Sequence, residues 1–113
     1  MKQVFYTPER GDIVRIALSP AAAGASREER LVAIASPLAY NGRVGLALAC
    51  PIVAEVKGYP FEVPLPADLP VAGVILADQA LSLDWRVHRA ERVGTLPTET
   101  VEEVLGKLRA LLA

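Results

Sequence analysis

The chain holds one cysteine and one histidine in 113 residues. An internal disulfide is therefore impossible, and a metal site built from Cys and His is not expected. Long apolar runs are also missing. Arg, Asp, Lys or Pro breaks each one short of the roughly 20 residues that a membrane helix needs. Met1 leads into Lys2-Gln3-Val4-Phe5 with no apolar core of a signal peptide, so the expectation is a soluble cytoplasmic protein with no membrane partner. Neither sign of charge dominates. Twelve basic residues against thirteen acidic ones leave a net charge of -1, so any nucleic-acid surface has to be a local patch. Nine of the twelve cations are Arg, the type that grips phosphate in a fork. The sequence shows no internal repeat and no low-complexity segment.

What is present suits one domain spanning residues 1–113. The chain is 52% hydrophobic and 22% charged, enough to bury a real core. Apolar residues in "DIVRIALSP" predict a strand with Arg15 among apolar neighbours, ended by Ser19-Pro20. Residues 21 to 30 are small and then charged, and read as a loop with a short helical turn at Arg27 to Arg30. "LVAIASP" is a continuous apolar run, as a buried strand is. Tyr40-Asn41-Gly42-Arg43 carries a turn signal, since Asn-Gly supplies positive φ cheaply. "VGLALACPIV" then predicts a long strand, with a bulge at Gly45 and an edge or bend at Pro51. Phe61 to Leu65 and Gly73 to Asp78 predict two more strands, and "LSLDWRVHRAERV" a further one bent near Asp84. The period changes at the end: Val101, Val104, Leu105, Leu108, Leu111 and Leu112 fall at helical spacing after Pro97-Thr98. Strands followed by one amphipathic helix imply a small, mainly β barrel or half-barrel with the helix packed beside it.

Residue by residue, the chemistry is sparse. His88 has no partner fixed by spacing, and Cys50 reads as a buried, inert thiol. Asp78-Gln79 ends an apolar strand, where it either orients a loop or hydrogen-bonds a base edge. Trp85 reads as buried. Arg86, Arg89 and Arg92 form either a basic edge or a solvated face. Arg30, just before a buried strand, is either a rigidly held catalytic cation or the partner of Glu28 or Glu29.

Four stretches taken together resemble the MazF/PemK (Kid) family of toxin endoribonucleases: "YTPERGDIVRIALSP", "LVAIASPLAYNGRVGLALACPIV", "KGYPFEVPLP" and "GVILADQALSLDWR". They come in the family's order and spacing and cover nearly the whole chain. The resemblance implies a mainly β fold with a C-terminal helix, an SH3-like, PemK-type barrel of the CcdB/MazF-like kind. It implies a homodimeric toxin of a type II toxin–antitoxin system that cuts single-stranded RNA, typically mRNA at short motifs, with no metal and no cofactor. It also implies a cognate antitoxin whose acidic tail, disordered when free, competes for the RNA grooves. Arg30 falls on the catalytic arginine position, and Ser19, Lys57, Gln79 and Arg86 are the candidate RNA-binding residues. The family's Ser or Thr partner is replaced by Val53, followed by Ala54, and the usual "GxRP" is Glu28-Glu29-Arg30-Leu31. Ser19, Ser26 or a backbone amide is left to supply the missing donor. Glu28 and Glu29 are expected to repel RNA. The alternatives are a catalytically weak or silent homologue that still binds antitoxin or RNA, and, from the same fold, a gyrase-poisoning toxin.

Overall fold

The computed structural model describes residues 6–17 and 28–113. Seven strands and two helices follow in the order β1 (Asp12–Ala17), β2 (Glu29–Ile34), α1 (Leu38–Val44), β3 (Ala47–Val53), β4 (Glu62–Pro64), β5 (Val74–Leu76), β6 (Leu81–Leu83), β7 (Glu91–Thr95) and α2 (Thr98–Leu112), with a 3₁₀ turn at Ala77–Gln79. All strand pairs are antiparallel, in the order β4-β5-β3-β2-β1-β7, with β6 also on β3. This is the mainly β fold with a C-terminal helix that the sequence implies.

Alternation along the strands divides the apolar side chains between two faces. On one face, Ile13, Ala33, Cys50, Ile52 and Ile75 pack with Val104 of α2, as the helical spacing of the last residues requires. On the other, Val14, Val32, Ile34 and Ala49 pack with Leu83 and Trp85, brought over by β6 and the turn that follows it. Trp85 is buried, as expected, and its indole N–H donates to the Asn41 carbonyl at 3.2 Å.

Five local expectations need correction. Tyr40-Asn41-Gly42-Arg43 is not a hairpin turn but lies within α1. The Asn41 side chain is consumed by tertiary contacts: its amide donates to the carbonyls of Pro8 at 2.7 Å and Ser36 at 3.0 Å, and its oxygen accepts from the Ser36 hydroxyl. Gly45 is not a bulge. It ends α1 at φ 82°, the left-handed conformation that closes helices and suits glycine. Pro51 does not mark an edge, since β3 is central. Here β6 covers Ala47 to Ala49 and β5 covers Ile52 and Val53, so Pro51 falls in the gap where its missing N–H costs no ladder bond. The segment around Asp84 forms two strands rather than one bent strand. The turn between them is held by the Asp84 carboxylate, which accepts from Val87 N–H at 3.1 Å. Finally, Glu29 and Arg30 are the first residues of β2 rather than a helical turn; Arg27 lies outside the described residues.

Candidate active site

Arg30 stands on β2, where cross-strand bonds fix the backbone on both sides: Arg30 pairs with Ile16 of β1, and Leu31 pairs with Ile52 of β3. One step along the same register sets Arg30 beside Val53. Directly opposed residues share a face, so Arg30 and Val53 project to the side that holds Trp85. The guanidinium is turned outward, with its side chain 57% exposed. Its contacts are loose: 3.8 Å from Nη2 to Glu28 Oε2 and 3.4 Å from Nη1 to the Glu29 carbonyl. An exposed ion pair of this kind contributes at most about 1 kcal/mol, so an incoming phosphate can displace it.

Glu29 does not share this side. It reaches Arg15 at 3.7 Å on the opposite face, and Arg15 also holds Glu91 at 2.8 Å. Of the two glutamates expected as partners for Arg30, the side chain of Glu28 lies beside it and that of Glu29 does not.

Next to Val53 lies a small pocket of about 170 Å³ lined by Val53, Glu55, Lys57, Tyr59, Glu62, Leu76 and Gln79. Two of the candidate RNA-binding residues, Lys57 and Gln79, are thus brought together against the residue that replaces the family's hydroxyl. Ser19 lies outside the described residues, as does Ser26. Arg86 belongs to a different depression, of about 720 Å³, with Tyr6, Trp85, Arg89 and Arg92. There its guanidinium lies 4.8 Å from the centre of the Trp85 ring, a cation–π distance.

The loop bearing Lys57 is pinned by a residue that the sequence reading passed over as a strand position. Glu62 is 9% exposed, and its carboxylate accepts from Lys57 N–H at 2.9 Å and Gly58 N–H at 2.8 Å. Gly58 has φ 84°. Its positive φ lets consecutive amides converge on one anion, which accounts for the glycine at this corner. A glutamate at an otherwise apolar strand start, four residues after a Lys-Gly pair, was the available signal. Tyr59 adds a second tether through its hydroxyl, 3.0 Å from Asp78 Oδ1. Partial desolvation, then the hydrogen bond and charge of Asp78, raise the tyrosine's pKa, against a hydrogen bond from Gln79. A third tether runs from the Lys107 ammonium of α2 to the Pro60 carbonyl.

The other polar candidates have structural duties. His88 Nδ1 lies 2.7 Å from the Ala17 carbonyl, which can only accept, so that nitrogen carries the proton and closes the end of β1. Burial, and secondarily the Asp78 carboxylate, push the Cys50 thiol from 9.0 up to about 11, which keeps it protonated and inert.

The outward Arg30 guanidinium on β2 thus stands near a small pocket that holds Lys57 and Gln79. Comparison with known proteins gives the family. Residues 9–112 match the PemK-like, MazF-like toxin family of type II toxin–antitoxin systems. The chain is 34% identical over 107 residues to the endoribonuclease toxin MazF of Escherichia coli K12, covering 95% of this chain and 96% of the relative. It is 30% identical to the Escherichia coli endoribonuclease PemK, over 92% of this chain and 81% of the relative. MazF in a MazE–MazF crystal structure from Deinococcus radiodurans superposes with a TM-score of 0.85 at 45% identity, covering 96% of this chain and 97% of that one. This chain belongs to the MazF/PemK family of toxins.

Proposed function

We propose that this chain, an endoribonuclease toxin of a type II toxin–antitoxin pair, cleaves single-stranded RNA through attack of a ribose 2′-hydroxyl on the adjacent phosphorus, with Arg30 as the central cation. The reaction builds negative charge on the phosphorane oxygens. A guanidinium presents parallel N–H donors to two of them and stays protonated. Lys57 carries a second cation to the neighbouring phosphate, and Gln79 offers an amide to a base edge. Neither step draws on a metal or a cofactor. The observation that carries this reading is the outward, loosely held Arg30 guanidinium beside the pocket that contains Lys57 and Gln79.

The partner is an antitoxin, as MazE is for the Deinococcus MazF. Its acidic tail finds complementary charge in the depression around Arg86, Arg89 and Arg92, where three cations outnumber the one carboxylate, Glu91. The working unit is a homodimer in the cytoplasm. An apolar cleft of about 530 Å³ between α2 and the β3–β6 surface, lined by Leu48, Leu105, Leu108 and Leu112, supports a second copy there, and Leu112 is 88% exposed. Among the described residues no helix is long and apolar enough to cross a membrane.

The test is incubation of purified protein with unstructured RNA in EDTA. Cleavage is expected, and Arg30→Ala is expected to abolish it. Val53 supports a second reading, a weak or silent nuclease that still binds antitoxin. No cutting of a diverse RNA pool, together with tight antitoxin binding, establishes that reading instead.

A further inference from the structure

The chemistry above needs a group that removes the 2′-proton, and the β3 position facing Arg30 offers none, because Val53 carries only methyl groups. We infer that Glu28 is the general base of this enzyme, an inference that rests on the nuclease reading. Three observations carry it. Glu28 lies two residues before Arg30, immediately ahead of β2, and its side chain reaches toward the Arg30 guanidinium. Its carboxylate is 3.8 Å from the Arg30 guanidinium, and among the described residues no other carboxylate lies within 4 Å of that group. It is 66% exposed and free of any closer bond among those described.

Glu55 lines the pocket beside Val53 but makes no contact within 4 Å of the Arg30 guanidinium, and three other carboxylates are occupied or turned away. Glu29 is on the opposite face with Arg15, Glu62 holds two backbone amides, and Asp78 accepts from Tyr59. A phosphate that displaces the loose Glu28–Arg30 contact takes the guanidinium and leaves Glu28 at its flank, where the ribose hydroxyl stands. The Glu28 carboxylate then accepts the 2′-proton. The 2′-oxygen forms its bond to phosphorus as the bond to the 5′-oxygen breaks, and the leaving oxygen takes a proton from solvent. The products are a 2′,3′-cyclic phosphate and a 5′-hydroxyl. Arg30 does not exchange protons in this scheme; it steadies charge.

The inference makes a prediction opposite in sign to simple repulsion. If Glu28 only repels RNA, removing its charge raises affinity and rate. If it is the base, Glu28→Gln lowers kcat by about 10²–10⁴-fold while KM stays level or falls. Single-turnover cleavage of an unstructured RNA in EDTA is measured for wild type, Glu28→Gln, Glu28→Gly and Arg30→Ala, with formate added to the glycine variant. The expected result is loss in Glu28→Gln, partial restoration of Glu28→Gly by formate, and a cyclic phosphate at the new end. Undiminished or faster cleavage by Glu28→Gln, or no effect of formate, overturns the assignment and leaves the Arg30 reading standing. A silent wild type, or an Arg30→Ala variant as active as wild type, overturns both.

Discussion

Replacing Glu62 tests what holds the Lys57 corner. Its carboxylate accepts two backbone N–H groups at 2.9 and 2.8 Å, and hydrogen bonds to a charged group contribute about 1.5–3 kcal/mol each. Glu62→Gln keeps one accepting oxygen but turns an NH₂ group toward the second amide, setting donor against donor. The expected loss is about 2–4 kcal/mol. Glu62→Ala loses both bonds, but the corner is half open to solvent and water recovers part of the difference, so its loss falls in the same range. With an m-value of roughly 2 kcal/mol/M, the middle of the usual range for small proteins, either variant should lower the urea midpoint by about 1–2 M. Equilibrium urea unfolding followed by Trp85 fluorescence reads this directly, because the indole is buried. The release of Lys57 should also raise KM for RNA. A Gln variant within 0.5 kcal/mol of wild type would refute the claim that ionised Glu62 organises this loop.

Val53→Thr replaces one β-branched side chain with another on β3 and should raise cleavage by about 10²–10³-fold if a single aimed donor was lost there; unchanged single-turnover rates would show that the donor comes from elsewhere. Gly73→Ala should destabilise by about 3 kcal/mol or more, since its Cβ would lie 2.1 Å from the Val53 carbonyl at a φ of 129°; a normal thermal midpoint would refute that contact. Stability should fall in alkali. The folded chain keeps the Cys50 proton up to about pH 11, whereas the unfolded thiol loses its proton from 9.0. More protons are bound in the folded state across that window, so the contribution, about 2–3 kcal/mol, is intact below pH 9 and is lost on approaching pH 11. Cys50→Ala should flatten that part of the urea-stability profile, and an unchanged slope would refute the assignment.

The parts legible in the sequence were those set by local pattern. The helical spacing of Val101, Val104 and Leu108, and the Pro97-Thr98 start, led to α2 because a one-sided helix must cover a sheet. The apolar runs gave β2 and β3 for the same reason. Local signals misled wherever a distant partner decided the outcome. Asn41-Gly42 has turn chemistry, but the Asn41 amide is worth more bonded to Pro8 and Ser36 than spent on a hairpin. Pro51 suggests an edge until the change of neighbour from β6 to β5 is known. At the site, resemblance nominated Arg30, Lys57 and Gln79, but only strand register shows that Arg30 and Val53 share a face while Glu29 leaves on the other. Period-two alternation implies as much once the strand is known to begin at Glu29 rather than after Arg30.

That register also bears on the missing hydroxyl. Val53 pairs with Val74, and its carbonyl lies against Gly73, so the backbone there is fixed by neighbours that do not depend on the side chain being apolar. Threonine would fit the same strand geometry with the same branching. The polar residues of the adjacent pocket, Glu55, Lys57, Tyr59 and Gln79, offer partners to an added hydroxyl. On the proposed nuclease reading, an outward guanidinium, a pinned lysine loop and a tethered tyrosine supply charge and positioning, while the β3 position supplies no hydroxyl. The proton must then be handled from the same face and within reach of the same phosphate. Among the described residues, Glu28, two positions before Arg30 and immediately ahead of β2, is the carboxylate that lies within 4 Å of that guanidinium.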